Sequence, residues 1–251
     1  MVVIPAYNEA ATIRDVVVRT LEHTQSVVVV DDGSTDGTAA ALAGLPVPVL
    51  VNERNLGKAA SIWRGAEHAF ASGATSIVTL DGDGQHDPAD LRRMLGAAAA
   101  KPNAIVVGAR LHAKEIIPKL RYRANRFANF FVAWAAGTPL DDSQSGFRYY
   151  PAAVFRDLRV AHGRWASFVF ESEVLIAAAR SGMEIVSVPI SVRYADLPRA
   201  SHFRPVVDVA KIAVMIAGRL FRTGFHLPGL VRSLRLRGAR KSLGSDPKHF
   251  P

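Results

Sequence analysis

Apolar, β-branched runs punctuate the first part of the chain: VVIP at 2–5, VVVV at 27–30, VPVLVN at 47–52, SIVTL at 76–80 and AIVVG at 104–108. Between them, segments 10–24, 36–43, 57–72 and 88–100 have helical composition. Runs without polar alternation, separated by helices, predict parallel strands covered on both faces, an α/β fold. Each polar loop of interest then follows a strand. PAYNE, DDGSTDGT and DGDGQHD all fall at the carboxyl edge, where open α/β sheets bind ligands.

The helix starts are legible as well. Ser34, Thr35 or Asp36 can cap the second helix, and Asp87 before Pro88 supplies a cap with proline at the first helical position. From 110 to 150 the pattern is irregular, with RYRANRFANFFVAWAAG reading as a helix and GFRYYP as a short strand or turn. A helix at about 169–181 leads into MEIVSVPISVRY, a further strand. No repeat or linker appears, so residues 1–204 read as one domain. Residues 205–251 come after it as an amphipathic helix and basic tail, either packed on that domain or appended to it at a membrane interface.

PVVDVAKIAVMIAGRLF at 205–221 is too interrupted to span a bilayer, because Asp208, Lys211 and Arg219 break it well short of roughly 20 apolar residues. Those three and Arg222 share one stripe of a helical wheel, which suits a helix lying in an anionic membrane surface or packed on the domain. Charge sharpens this picture. The net charge is +9, and Arg219 to Ser245 holds seven Lys or Arg and no acid. There is no cysteine, which excludes disulfides and thiol chemistry. MVVIPAYNEA reads as a strand running into a loop, so a standard secretion signal is not expected. The basic tail carries no recognised nucleic-acid motif, and no nucleic-acid partner is expected.

The candidate chemistry lies in the acids. Asp31 and Asp32 end one strand, and Asp81 and Asp83 end a later one. Neighbouring carboxylates repel unless a cation, a proton or hydrogen bonds compensate. Asp81, Asp83 and Gln85 alternate, so they can converge on a hard cation such as Mg or Mn that bridges to phosphate. They can also merely end a strand and cap a helix. An EF-hand loop fails, since counting from Asp81 puts His86 at the glycine position and Arg92 at the final glutamate position. A P-loop around Gly57 and Lys58 fails at Asn52 and Ala59, and no GxGxxG comes after the first strand.

Together, VVIPAYNEAATI, VVDDGSTDGT, NLGKAASIWRG, TLDGDGQHDP, VVGAR, SQSGFRYYP and EIVSVPISVRY resemble the family 2 nucleotide-sugar glycosyltransferases of GT-A fold. Within that family the chain looks most like the dolichyl-phosphate mannose synthase type. The resemblance implies a Rossmann-like, mostly parallel sheet and a divalent Mg or Mn ion held by Asp81, Asp83 and Gln85. It implies a GDP- or UDP-sugar donor met by Pro5, Tyr7, Glu9, Asp31 or Asp32, Lys58 and Arg110, with Arg199 a further candidate.

The same resemblance implies inversion at the sugar carbon, with Asp83 essential and a polyprenyl (dolichyl or undecaprenyl) phosphate as acceptor. Such an acceptor is already anionic and needs no strong base; Arg121, Arg193 and Arg199 are candidates to position it. A hydroxyl acceptor on another glycolipid or glycan would need a base, for which Asp142 is the candidate. Asp142 has an equal alternative, pinning the SGF turn, and Glu171 and Glu173 carry a weaker functional reading. Asn125 stands where a serine is usual, and VRYADLPRASHFRP lacks the usual glycine and serine-lysine pair. The implied setting is the cytoplasmic face of the inner membrane, in envelope glycan synthesis, with a separate membrane protein as a possible partner.

Overall fold

The computed structural model describes residues 1–110, 119–158 and 169–191, with isolated positions at 217–218, 227 and 229–231. Among these, strands β1 (Val2–Ala6), β2 (Val27–Asp31), β3 (Val49–Val51), β4 (Ser76–Thr79), β5 (Ile105–Ala109), β6 (Arg148–Pro151) and β7 (Ile185–Pro189) form one sheet. Its order is β3-β2-β1-β4-β6-β5-β7. The pairs β1·β2, β1·β4, β2·β3 and β5·β7 are parallel, whereas β6 runs antiparallel to β4 and β5. The expected mostly parallel α/β fold is therefore the observed one. The exception has a local cause: β6 leaves the SGF turn at the carboxyl edge of its neighbours and can only run back down the sheet.

The pleat divides the core. Val3, Val28, Val30, Ile77, Ile105 and Val107 pack with helices α3 (Lys58–Ala71), α5 (Lys119–Ala136) and α7 (Phe170–Arg180). Val2, Ile4, Val27, Val29, Val78 and Val106 pack with α1 (Ile13–Leu21) and α4 (Leu91–Ala100) on the other face. Successive residues of one strand thus serve opposite layers, which is why the strands read as unbroken apolar runs. Helix α3 lies close to β1: a Cβ on Gly65 would stand 2.3 Å from Val3 Cγ1.

Two helix starts come later than composition implies. Helix α1 begins at Ile13 rather than near 10, because PAYNEA is held in a loop, and α2 is only Thr38–Ala41. Ser34, Thr35 and Asp36 do not cap α2; Gly37 occupies that position without a side-chain bond. Asp87 caps as expected, accepting from the Ala89 N–H with Pro88 next in line. A short helix, α6 (Ala153–Asp157), comes after β6. No described helix is long and apolar enough to cross a membrane. Nearly all of 205–251 lies outside the described residues.

Candidate active site

Three loops meet at the carboxyl edge of β1, β2 and β4, joined by side chain to backbone bonds. Asn8, at φ 56°, donates its N–H to Ser34 Oγ at 2.9 Å and accepts from the Thr35 N–H at 2.9 Å. The Glu9 N–H reaches Thr38 Oγ1 at 2.8 Å, and the Ala10 N–H reaches Asp36 Oδ2 at 3.1 Å. Asp36 also accepts from the Thr38 N–H, so it ties the loops instead of capping a helix. Thr12 Oγ1 then donates to the Gly82 carbonyl at 2.7 Å, fastening the first loop to the acid loop.

The acids divide by their partners. Asp32 is committed to the fold, accepting from Asn52 Nδ2 at 2.7 Å, the Leu56 N–H at 2.9 Å and the Gly57 N–H at 2.8 Å. It thereby holds the entry to α3. Asp31 accepts from the Ser34 N–H at 2.9 Å and closes its own turn. Asp83 accepts from the Gln85 N–H at 3.0 Å, and Gln85 is buried beside it. Asp81 faces the Lys58 ammonium at 2.6 Å, and that ammonium also lies 2.8 Å from Glu171 Oε1.

Charge is crowded here. Burial and the neighbouring Asp81 push the Asp83 carboxyl up to about 6. Burial would raise Asp81 too, but Lys58 and the other cations facing it outweigh that and hold it below the usual carboxylate range. Lys58 would lose its proton more easily through burial, yet Asp81 and Glu171 raise it. His86, buried against the Phe147 ring with Nε2 3.8 Å from Asp81 Oδ2, is pushed down to about 4 by burial and is neutral.

Asp81 and Asp83 fit a divalent ion: the two half-buried carboxylates lie close enough to repel, and burial with that repulsion pushes Asp83 up. Among the described residues no three His, Cys, Asp or Glu side chains form a ready-made cage. An ion here would therefore take much of its oxygen shell from a phosphate-bearing ligand and water, as Mg commonly does.

Behind the acids the SGF turn is set by two buried arginines. Arg110 holds Asp142 through Nε at 2.7 Å and Nη2 at 3.1 Å, and Asp142 also accepts from the N–H groups of Arg110 and Gln144. Burial opposes ionisation of Asp142, but Arg110 keeps it below the usual carboxylate range. Arg148, fully buried, donates to the carbonyls of Ser145 at 2.7 Å, Glu171 at 2.6 Å and Ser143 at 2.9 Å.

The expected site residues fall in different surroundings. Asp142, expected either as a base or as the pin of the SGF turn, accepts four hydrogen bonds, from Arg110 Nε, Nη2 and N–H and from the Gln144 N–H. Arg110, expected at the donor, is bonded to Asp142 and also acts on the Asp81 and Asp83 carboxylates. Pro5 sits inside β1, buried and in register with Val30. Tyr7 and Glu9 do lie at the edge, and Tyr7 is exposed. Arg121 falls on α5 but its side chain, like Arg193 and Arg199, lies outside the described residues. Sequence reasoning undervalued Glu171 and passed over Arg148 and His86. The signal for Arg148 was a charge opening a strand whose other residues are apolar or aromatic.

Residues 1–159 match the Glycosyl transferase family 2 profile. A UDP-N-acetylglucosamine–dolichyl-phosphate N-acetylglucosaminyltransferase of Methanococcus voltae is 29% identical over 221 residues, 79% of this chain and 87% of that one. The polyprenol monophosphomannose synthase of Mycolicibacterium smegmatis is 28% identical over 202 residues, 76% of each chain. In fold the chain is similar to glucosyl-3-phosphoglycerate synthase of Mycobacterium tuberculosis, solved with Mn2+, UDP and glucosyl-3-phosphoglycerate. The TM-score is 0.66 at 21% identity, over 88% of this chain and 78% of that one.

Proposed function

The chain belongs to glycosyl transferase family 2, and on that premise we propose that it moves a sugar, with inversion, from a nucleoside diphosphate sugar to a polyprenyl phosphate at a membrane surface. The observation that carries this reading is the half-buried Asp81–Asp83 corner, laced to the two loops that leave β1 and β2. Asp81, Asp83 and Gln85 would hold Mg or Mn, which when bound neutralises the charge growing on the leaving nucleoside diphosphate. Tyr7, Glu9 and Asp31 line the edge where the nucleoside would sit. Lys58 adds a fixed positive charge for the diphosphate. Asp32 supports these contacts by fixing the turn before Lys58.

Asp142, the candidate base, is engaged by four hydrogen-bond donors, and an anionic phosphate attacks without a base. Arg121, Arg193 and Arg199 are proposed to position that phosphate. The two sequence relatives named above act on dolichyl phosphate or make polyprenol monophosphomannose, whereas the structural neighbour makes glucosyl-3-phosphoglycerate. The amphipathic, basic stretch 205–251 is proposed to hold the enzyme at the anionic cytoplasmic face of the membrane.

The test incubates the purified full chain with Mg2+ or Mn2+, a panel of GDP- and UDP-sugars and a polyprenyl phosphate. An acid-labile sugar-phosphate lipid is expected, and Asp83→Ala abolishes it. A product on a hydroxyl acceptor with none on the lipid phosphate overturns the acceptor assignment.

A further inference from the structure

Lys58 is held more firmly than a donor-binding lysine needs to be. Its ammonium bridges Asp81 Oδ1 at 2.6 Å and Glu171 Oε1 at 2.8 Å, joining the start of α3, the end of β4 and the first turn of α7. Gly146 walls the bridge, because a Cβ there would fall 2.6 Å from Lys58 Nζ. Glu171 is fixed in turn: Arg148 Nη1 holds its carbonyl at 2.6 Å, and its position in the first turn of α7 favours a carboxylate.

The ammonium therefore occupies the oxygen that a divalent ion needs. An ion on Asp81 and Asp83 would repel a charge already 2.6 Å from Asp81. The wall at Gly146 closes one direction of retreat, and Glu171 supplies a second anion already in contact. In the corner, Lys58 and Arg110 face four carboxylates, Asp81, Asp83, Asp142 and Glu171.

We infer that Lys58 is an exchangeable internal counter-ion: it covers Asp81 in the metal-free protein and is handed to Glu171 when the divalent ion binds, so that Glu171 positions Lys58 for the donor diphosphate. This rests on the metal-dependent transferase reading above. Glu171 acts through Lys58 and is a positioning residue. The exchange keeps the ammonium beside the diphosphate instead of releasing it to water.

The experiment measures Mn2+ binding to the full chain directly, by the spin resonance signal of free Mn2+, with and without GDP or UDP. Lys58→Met removes the competitor and tightens Mn2+ binding without nucleotide by at least about fivefold, the low end of ordinary coupling between sites. Glu171→Gln leaves Lys58 only Asp81 as partner and weakens Mn2+ binding by at least about fivefold. The double variant keeps the wild-type net charge without the competitor and binds Mn2+ at least as tightly as wild type. A double variant as weak as Glu171→Gln alone makes Glu171 a ligand of the ion and overturns the exchange, as do equal affinities in all four proteins. Retention of Mn2+ by Asp83→Asn at wild-type affinity overturns the transferase metal site itself. Lys58→Gln serves in place of Lys58→Met if that variant does not fold.

Discussion

Gly146 runs so close to Asp81 that a Cβ on it would lie 2.4 Å from Oδ2 and 2.6 Å from Oδ1. The glycine of the SGF turn is thus a contact requirement, since any side chain displaces the carboxylate proposed to hold the metal. We expect Gly146→Ala to remain folded, because the displaced atoms are side-chain ends, and to lose about 100-fold in kcat/KM, the cost of roughly 1 Å of misplacement. A thermal melt together with steady-state transfer rates checks both halves. Wild-type activity in a folded Gly146→Ala would remove Asp81 from the reaction.

The pH dependence of stability should reveal the acid pair. A carboxyl raised to about 6 keeps its proton in the folded chain after the unfolded chain has lost it near 3.8. Between those values the folded chain binds more protons, and the Asp83 contribution to stability falls as pH rises. His86 has the opposite sign. Lowered to about 4 from 6.5, it makes the unfolded chain the better proton binder in that window, so its contribution rises with pH. The windows overlap, and only a difference separates them. Melting curves of metal-free wild type and Asp83→Asn are expected to diverge from pH 4 to about 6, the variant gaining by about 2–4 °C for each ~1 kcal/mol, and to run parallel above. A constant difference across that range would contradict the charge crowding at Asp83. Mn2+ should then stabilise wild type and leave the variant unchanged.

Much of this site was legible because its signals are local. Strand runs such as VVVV at 27–30 needed only uniform apolarity, and the loop positions came from strand order. Asp87 and Pro88 announce their cap within two residues. What escaped depends on contacts between segments far apart in the chain. Glu171 meets Lys58 across more than a hundred residues, and Arg148 is buried because three carbonyls from two segments converge on it. The antiparallel run of β6 is likewise a property of where its turn sits in three dimensions. Asp31 and Asp32 were indistinguishable as neighbours; Asn52 and the turn before Lys58 separate them, by occupying Asp32.

Asp142 offers the sharpest choice between two chemistries. All its bonds are accepted from donors: Arg110 Nε and Nη2, and the N–H groups of Arg110 and Gln144. Asp142→Asn turns one acceptor into an amide that faces a donor and leaves the buried Arg110 without a counter-charge, a loss of about 3–5 kcal/mol for a broken buried pair. If Asp142 anchors the turn, the variant shows that loss in urea unfolding, while the part that remains folded keeps kcat within a few-fold and the same acidic limb in its pH profile. If Asp142 were a general base, stability would change little, kcat would fall by about 100-fold or more, and the acidic limb would vanish. Burial and Arg110 favour the first outcome, because a carboxylate held below its ordinary range by a bidentate arginine is a poor proton acceptor.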